Sequence, residues 1–237
     1  MNERSAEAPD VRVGIAVPAA GSGRRMGGQR KPFLELAGEP VLVHALRPFL
    51  ADPRVVAVAV ALPADDAQAP PAWLMALDDR ITILAGGASR TESVRRAVES
   101  LPQDVDVIAV HDAARPLVTA RTVAECIAVA AGGIGAVAGC PAVDTMKTVD
   151  EMGRITGTPD RTTLWHAHTP QVFPAQLLRD AYAAGATGTD DAALVEAHGG
   201  EVRMVDGGST NLKVTHPADV GLAEAILVAR RGGIQAR

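Results

Sequence analysis

Aromatic residues are scarce in this chain: three Phe, two Trp and one Tyr make up 3% of 237 positions. Val, Leu, Ile and Ala must therefore fill any core, which suits Ala-rich helices packed on Val-rich strands. Cysteine is rarer still. Cys126 and Cys140 have no zinc-site spacing and form no disulfide framework, so two reduced thiols in or near the core are expected. A basic excess is missing too. The formal net charge of −5 argues against a nucleic-acid backbone as the main partner, while leaving room for a local basic pocket. No apolar run reaches membrane-spanning length; "VVAVAVAL" at 55–62 is the length of a strand. The N-terminal "MNERSAEAPD" lacks the apolar segment of a signal peptide. The expectation is a soluble, cytoplasmic protein that binds neither nucleic acid nor membrane.

With 47% hydrophobic residues, the chain can bury a sizeable core. Its length suits one α/β domain over 11–237, after a disordered tail over 1–10. Strand-like apolar runs at 11–17, 54–62, 81–87 and 105–116 alternate with helical patterns at 40–51, 89–101 and 119–131. That alternation predicts a doubly wound, mostly parallel, Rossmann-like sheet with helices on both faces. More strand is expected at 135–142 and 144–150. A turn-rich stretch at 153–173 breaks the pattern and reads as a protruding β-arm, about 148–173 with its approach. Helices at 174–184, 190–198 and 217–231 and a strand at 201–205 complete the pattern. Polar clusters at 18–32, 85–93 and 111–116 each follow an expected strand. They should share one crevice at the carboxyl edge of the sheet.

The first cluster, "VPAAGSGRRMGGQRKPF" at 17–33, is glycine-rich and cationic. A Walker A loop fails, because Gln29 stands where Gly23 and Gly28 would require Lys. A dinucleotide fingerprint starting at Gly21 and Gly23 fails at Met26, and the acidic residue expected after the next strand is missing. A third reading fits better. The small residues Pro18, Ala19, Ala20, Gly21, Ser22 and Gly23 let backbone N–H groups approach a polyphosphate, and Arg25 and Lys31 follow as cations. Cations so placed offset the charge of a triphosphate attacked by a second phosphate, which is the layout of a nucleotidyltransferase. The plainer reading is a solvated basic loop.

"VHDAARP" at 110–116 ends an apolar run with His111, Asp112 and Arg115 together. Asp112 is the natural candidate to hold Mg²⁺ or its waters; an Asp–Arg pair capping a helix is the alternative. "AGGASRTESV" at 85–94 offers a close-approach turn at Gly86 and Gly87, and its Ser89, Thr91 and Ser93 hydroxyls can cap a helix or touch a base and ribose. In "DTMK", Asp144 and Met146 would share one strand face and Thr145 and Lys147 the other. His166 and His168 could share a strand face, but no third metal ligand accompanies them. In "TDDAALVE", Thr189 reads as a helix cap, with Asp190 and Asp191 favoured by the dipole. Lys213, between Leu212 and Val214, reads as a buried strand lysine that requires an anionic partner.

The segments "VPAAGSGRRM", "GGASRTESV", "VHDAARP", "DTMK", "DRTTLWHAHTPQVF", "TDDAALVE" and "NLKVTHPAD" occur in that order. Over roughly residues 12 to 230 the chain resembles the 2-C-methyl-D-erythritol 4-phosphate cytidylyltransferases of the non-mevalonate isoprenoid pathway. The resemblance implies transfer of CMP from CTP to methylerythritol phosphate with release of pyrophosphate and use of Mg²⁺. It also implies a homodimer built through the β-arm. By motif, Arg25 and Lys31 would stabilise charge on the α-phosphate and pyrophosphate. Ala19, Ala20, Gly87, Ala88, Ser93 and Ala113 would recognise cytosine and ribose, and Asp112 would sit by the phosphate and metal. Thr145, Arg161, Thr169, Thr189 and Lys213 would hold the acceptor, with Arg161 and Lys213 directed at its phosphate and Arg161 reaching the partner's site. Two departures stand out. In "RKPF", Arg30 precedes Lys31 and could compete for its role, and position 88 is Ala where an acidic residue is common. Some relatives carry a cyclase domain after the transferase; with the chain ending at 237, that activity is expected to be absent.

Other readings are the same chemistry on another polyol phosphate, such as ribitol 5-phosphate, and a non-catalytic nucleotide-binding module. The first would differ in the arm and the 189–213 region. The set Arg25, Lys31, Asp112, Arg161 and Lys213 argues against the second.

Overall fold

The computed structural model describes residues 11–21, 30–185 and 188–232. A seven-stranded sheet organises them: β1 (Val13–Pro18), β2 (Val55–Leu62), β3 (Ile81–Ala85), β4 (Val107–Val110), β5 (Gly135–Pro141), β6 (Trp165–Pro174) and β7 (Val202–Asp206). The spatial order is β7-β5-β6-β4-β1-β2-β3. All neighbours run parallel except at β6, which is antiparallel to both β4 and β5. The principal helices are α1 (Val41–Leu50), α2 (Arg90–Ser100), α3 (Ala120–Ala131), α4 (Ala175–Ala183), α5 (Asp191–Ala197) and α6 (Pro217–Arg231).

The paucity of aromatics shows in the packing. Alternate residues of a strand face opposite ways, so Ile15 and Val17 of β1 pack with Leu42, Leu46 and Phe49 of α1 and with Ile127 of α3. Ala16 between them joins the other face, with Val94, Ala97 and Val98 of α2 and Leu178 of α4. Both faces of the strands are covered, which is why "VVAVAVAL" is apolar throughout. A small third cluster joins Leu36, Val41, Leu117 and Val214 to Ala223 of α6. Cys126 is buried, Cys140 is half-buried, and both are free thiols.

Two expectations about strands need correction. Residues 144–147 are not strand: the backbone leaves the sheet after β5 with no neighbour to pair with, so Asp144 and Met146 have no common strand face. Pairing resumes only where Thr148–Val149 meets Ile155–Gly157 in a small hairpin. The arm is also shorter than the 148–173 stretch, because β6 belongs to the central sheet, with Val172 and Phe173 fully buried.

The carboxyl ends of β1, β2, β3, β4, β5 and β7 fall on one edge, and antiparallel β6 begins there. The loops after β1 and β4 leave adjacent strands at the point where chain order reverses, which is where a doubly wound sheet opens a crevice.

Candidate active site

The loop after β1 continues the sheet before it turns away: Ala19 N–H donates to the Ala61 carbonyl at 2.8 Å. Opposite it, Gly86 N–H donates to the Leu62 carbonyl at 2.7 Å. The two turns touch so closely that a Cβ on Gly86 would lie 2.4 Å from the Ala20 Cβ. Gly86 is thus a close-approach glycine, and what approaches it is the neighbouring loop. Gly23 and Arg25 lie outside the described residues. Arg30 is ion-paired with Asp66 on the short helix Ala64–Gln68, while Lys31 begins a turn of 3₁₀ helix, Lys31–Phe33.

Ser89 caps α2 by accepting from Glu92 N–H at 3.0 Å, as the capping reading required. Ser93 is buried behind the turn. Its Oγ accepts from Gly87 N–H at 3.0 Å and donates to the Ser89 carbonyl at 2.8 Å. Ala88 N–H is taken by Glu92 Oε2 at 2.8 Å. The N–H groups of Gly87 and Ala88 are therefore engaged internally, and the Gly86 carbonyl accepts from Arg96 NH1 at 2.9 Å.

Asp112 is the centre of the crevice. Its Oδ2 lies 2.7 Å from Lys213 Nζ and 3.8 Å from Arg115 Nε, and its Oδ1 lies 3.2 Å from Arg90 Nε. Burial alone would push this carboxyl upward, but Arg90, Lys213 and Arg115 outweigh that and hold it well below the usual carboxylate range. Its backbone N–H donates to Thr169 Oγ1 at 3.0 Å. Thr169 Oγ1 also meets His111 Nδ1 at 3.1 Å, and His111 Nε2 meets the Arg115 carbonyl at 3.1 Å. Burial pushes the His111 imidazole down to about 4, so the ring is neutral at pH 7. A neutral ring donates from Nε2 to that carbonyl and accepts at Nδ1 from the threonine hydroxyl. His111 and Thr169 thus brace the end of β4 from inside, and Ala113 is buried beside them.

The expected anionic partner of Lys213 is Asp112, but two parts of that reading change. Residues 211–215 form no strand, and the Lys213 side chain is 40% exposed. The position is held instead by Arg115, which donates to the Asn211 carbonyl at 2.7 Å, and by Asn211, which donates to the Thr169 carbonyl at 2.9 Å. At the start of α5 the cap is Asp190, whose side chain accepts from Ala193 N–H at 3.0 Å. Thr189 stands one residue earlier, exposed. Capping requires an extended residue directly before the first helical one, and that residue is Asp190.

A cleft of about 680 Å³ opens beside this cluster, lined by Arg115, Val143, Trp165, His166, His168 and Lys213 among others. Burial, Arg115 and His166 push the His168 imidazole down to about 4. Thr145 and Arg161 lie on the arm, outside the ion-pair cluster; Arg161 donates to the Val143 carbonyl at 2.8 Å. Val149, Met152 and Ile155 on the hairpin, and Val143 and Met146 leading into it, are exposed apolar side chains.

Among the described residues, no group of three or more His, Cys, Asp or Glu is placed to hold a metal ion. Asp112 already carries cations on both oxygens, so its chemistry suits a water-mediated contact with a phosphate-bound Mg²⁺ rather than a direct bond.

Reading the sequence missed Arg90, Gln171 and the partner roles of Asp191 and Tyr182. Arg90 had a signal. It is the first residue of α2, where the helix dipole disfavours a cation, so a carboxylate had to compensate. It bridges Asp112 and Asp191, reaching the latter at 2.8 Å. Gln171 Oε1 accepts from Asp191 N–H and Ala192 N–H at 3.1 and 2.9 Å, fastening α5 to β6.

Comparison with known proteins bears on the family and the fold. The model of the family described as 2-C-methyl-D-erythritol 4-phosphate cytidylyltransferase matches residues 13–229. A relative of that name from Symbiobacterium thermophilum is 45% identical over 222 residues, covering 92% of this chain and 93% of the relative. The crystal structure of the Thermus thermophilus enzyme of that name superposes with a TM-score of 0.75 at 33% identity, over 92% of this chain and 98% of that one. In fold alone, a 4-diphosphocytidyl-2C-methyl-D-erythritol synthase from Anaerococcus prevotii reaches a TM-score of 0.82 at 24% identity, over 92% and 97% of the two chains.

Proposed function

The chain belongs to the 2-C-methyl-D-erythritol 4-phosphate cytidylyltransferase family, and on that premise we propose that it transfers CMP from CTP to 2-C-methyl-D-erythritol 4-phosphate. The products are 4-diphosphocytidyl-2-C-methyl-D-erythritol and pyrophosphate, on the route to isoprenoid precursors. The observation that carries the reading is the pre-formed Lys213–Asp112–Arg115 cluster, at the switch point of a chain matched by the family model almost from end to end.

An oxygen of the acceptor's phosphate attacks the α-phosphorus of CTP. The new P–O bond forms as the bond to the β-phosphate oxygen breaks, and pyrophosphate carries away that electron pair. A phosphate dianion is already nucleophilic, so the protein's work is positioning and charge stabilisation. Arg25 and Lys31 take the charge on the α-phosphate and leaving group. The backbone of Pro18–Gly21 and of the 86–88 turn lies along the nucleotide. Lys213 meets the acceptor's phosphate, with Thr145 and Thr189 around it, and Arg161 is supplied by a partner subunit's arm; Thr169, expected beside them, is buried and braces Asp112 from behind with its hydroxyl. The exposed apolar side chains of the hairpin, Val149, Met152 and Ile155, support a homodimer. Mg²⁺, held by the triphosphate and reached by Asp112 through water, would neutralise phosphate charge. The proposed compartment is the cytoplasm; among the described residues, no helix is long and apolar enough to cross a membrane.

The deciding assay is pyrophosphate release from CTP and Mg²⁺ with methylerythritol phosphate, with ribitol 5-phosphate, and with neither. Release with methylerythritol phosphate alone is expected. Release with ribitol phosphate alone would overturn the acceptor and keep the nucleotide chemistry. Silence with both, despite CTP binding, would make the protein a binding module.

A further inference from the structure

Five residues from five separate segments form one line of contacts from the core to the cleft. Tyr182 of α4 donates to Asp191 Oδ1 at 2.5 Å. Asp191, the first residue of α5, holds Arg90 NH2 at 2.8 Å through Oδ2. Arg90 Nε reaches Asp112 Oδ1 at 3.2 Å, and Asp112 Oδ2 holds Lys213 Nζ at 2.7 Å. Charge alternates along the line: carboxylate, guanidinium, carboxylate, ammonium. Both carboxylates are the buried members, Asp191 at 1% and Asp112 at 10% side-chain exposure, while Arg90 is 32% and Lys213 at the cleft end 40% exposed.

Each link constrains the next. Asp191 is a buried charge, and Arg90 is the cation paired with it among the described residues. Burying that carboxylate unpaired would be costly, so Arg90 cannot swing away. Its guanidinium presents Nε and NH2 on one rigid plane, and these two nitrogens serve two different carboxylates. With Oδ1 of Asp112 committed to Arg90, Oδ2 is the oxygen turned toward Lys213. A lysine at position 90 keeps the charge but offers its donors from one nitrogen, without the fixed plane on which Nε and NH2 each serve one carboxylate.

We propose that Arg90 is a positioning residue for Lys213: anchored by Asp191 and Tyr182, it sets the Asp112 carboxylate that holds the Lys213 ammonium at the acceptor cleft. The proposal rests on the reading of Lys213 as an acceptor-phosphate ligand.

The test is a double-mutant cycle on kcat/KM for methylerythritol phosphate, at saturating CTP and Mg²⁺. It uses the wild type, Arg90→Lys, Lys213→Ala and the double variant. A residue that acts through Lys213 loses its effect once Lys213 is gone, whereas a general structural defect lowers activity by the same factor in both backgrounds. Arg90→Lys is expected to cost roughly tenfold beside Lys213 and under twofold in its absence. Equal factors in both backgrounds, or a loss under twofold in the wild-type background, would overturn the proposal. If Arg90→Lys does not fold, Tyr182→Phe enters the same cycle: a loss of about threefold beside Lys213 that vanishes without it supports the proposal, and equal factors overturn it. A wild-type protein that releases pyrophosphate with no acceptor overturns the functional reading itself, and the proposal with it.

Discussion

Lys213 Nζ stands 2.7 Å from Asp112 Oδ2 although the two residues are far apart in sequence. The pair joins the end of β4 to the loop before α6, so two segments on opposite parts of the chain share one charge contact in the crevice. If Lys213 meets the acceptor's phosphate as proposed, its carboxylate partner orients the cation for that contact.

Arg30 is committed to Asp66, so its charge is already balanced. Arg30→Ala should change kcat by less than about threefold, whereas Arg25→Ala and Lys31→Ala should each lower it by about 10²–10³, the scale of losing one transition-state donor. Steady-state pyrophosphate release measures all three. A large Arg30 effect with a small Lys31 effect would reverse the assignment.

Gly86 is a packing requirement. A methyl group there would meet the Ala20 Cβ at 2.4 Å and the Ser93 Oγ at 2.9 Å. Gly86→Ala should cost about 1–3 kcal/mol of stability and weaken CTP binding, because the two loops must part. Adding Ala20→Gly removes the nearer clash and should recover part of both losses. Thermal unfolding and CTP titration read the outcome; a single variant as stable as wild type would refute the contact.

Stability should fall in mild acid. Burial holds His111 near 4 in the folded protein, against about 6.5 for an ordinary histidine. Between those values the unfolded chain binds a proton that the folded one refuses, so protonation favours unfolding. Stability is therefore full above about pH 6.5, falls as pH drops toward 4, and is lower by about 2 kcal/mol at pH 5 than at pH 7 from this residue. His168, also held near 4, acts in the same direction. Urea unfolding at pH 5, 6 and 7 gives the slope. His111→Gln should flatten it, and an unchanged slope would show that His111 is not its source.

The arm should be where two copies meet. Met152 is 80% exposed and Ile155 is 64% exposed, on a hairpin too small to be stable alone. A Met152→Asp, Ile155→Asp variant is expected to sediment as a monomer and to lose acceptor turnover at least tenfold while still binding CTP. A wild type that is monomeric at micromolar concentration, or a monomeric variant with full activity, would dismiss the shared site.

Much of the site could be read along the chain because its parts stand in short local segments at strand ends. "VHDAARP" marked Asp112 as soon as an apolar run met three polar side chains, and the Gly86–Gly87 turn announced a close approach. The cap at Asp190 was displaced by one residue, since Thr189, Asp190 and Asp191 are all good caps and only the backbone distinguishes them. The 144–147 segment looked extended from composition, but a strand exists only where a neighbour pairs with it.

Periodicity, composition and turn residues belong to the chain itself, so the order of strands and helices, the doubly wound class and the edge carrying the site were determined before folding. Antiparallel β6 at the heart of the sheet, the commitment of Arg30 to Asp66, and the line from Tyr182 through Asp191, Arg90 and Asp112 to Lys213 were decided only by tertiary structure. Each depends on groups brought together from distant segments. A charged side chain carries no mark in the sequence of which opposite charge will be buried beside it.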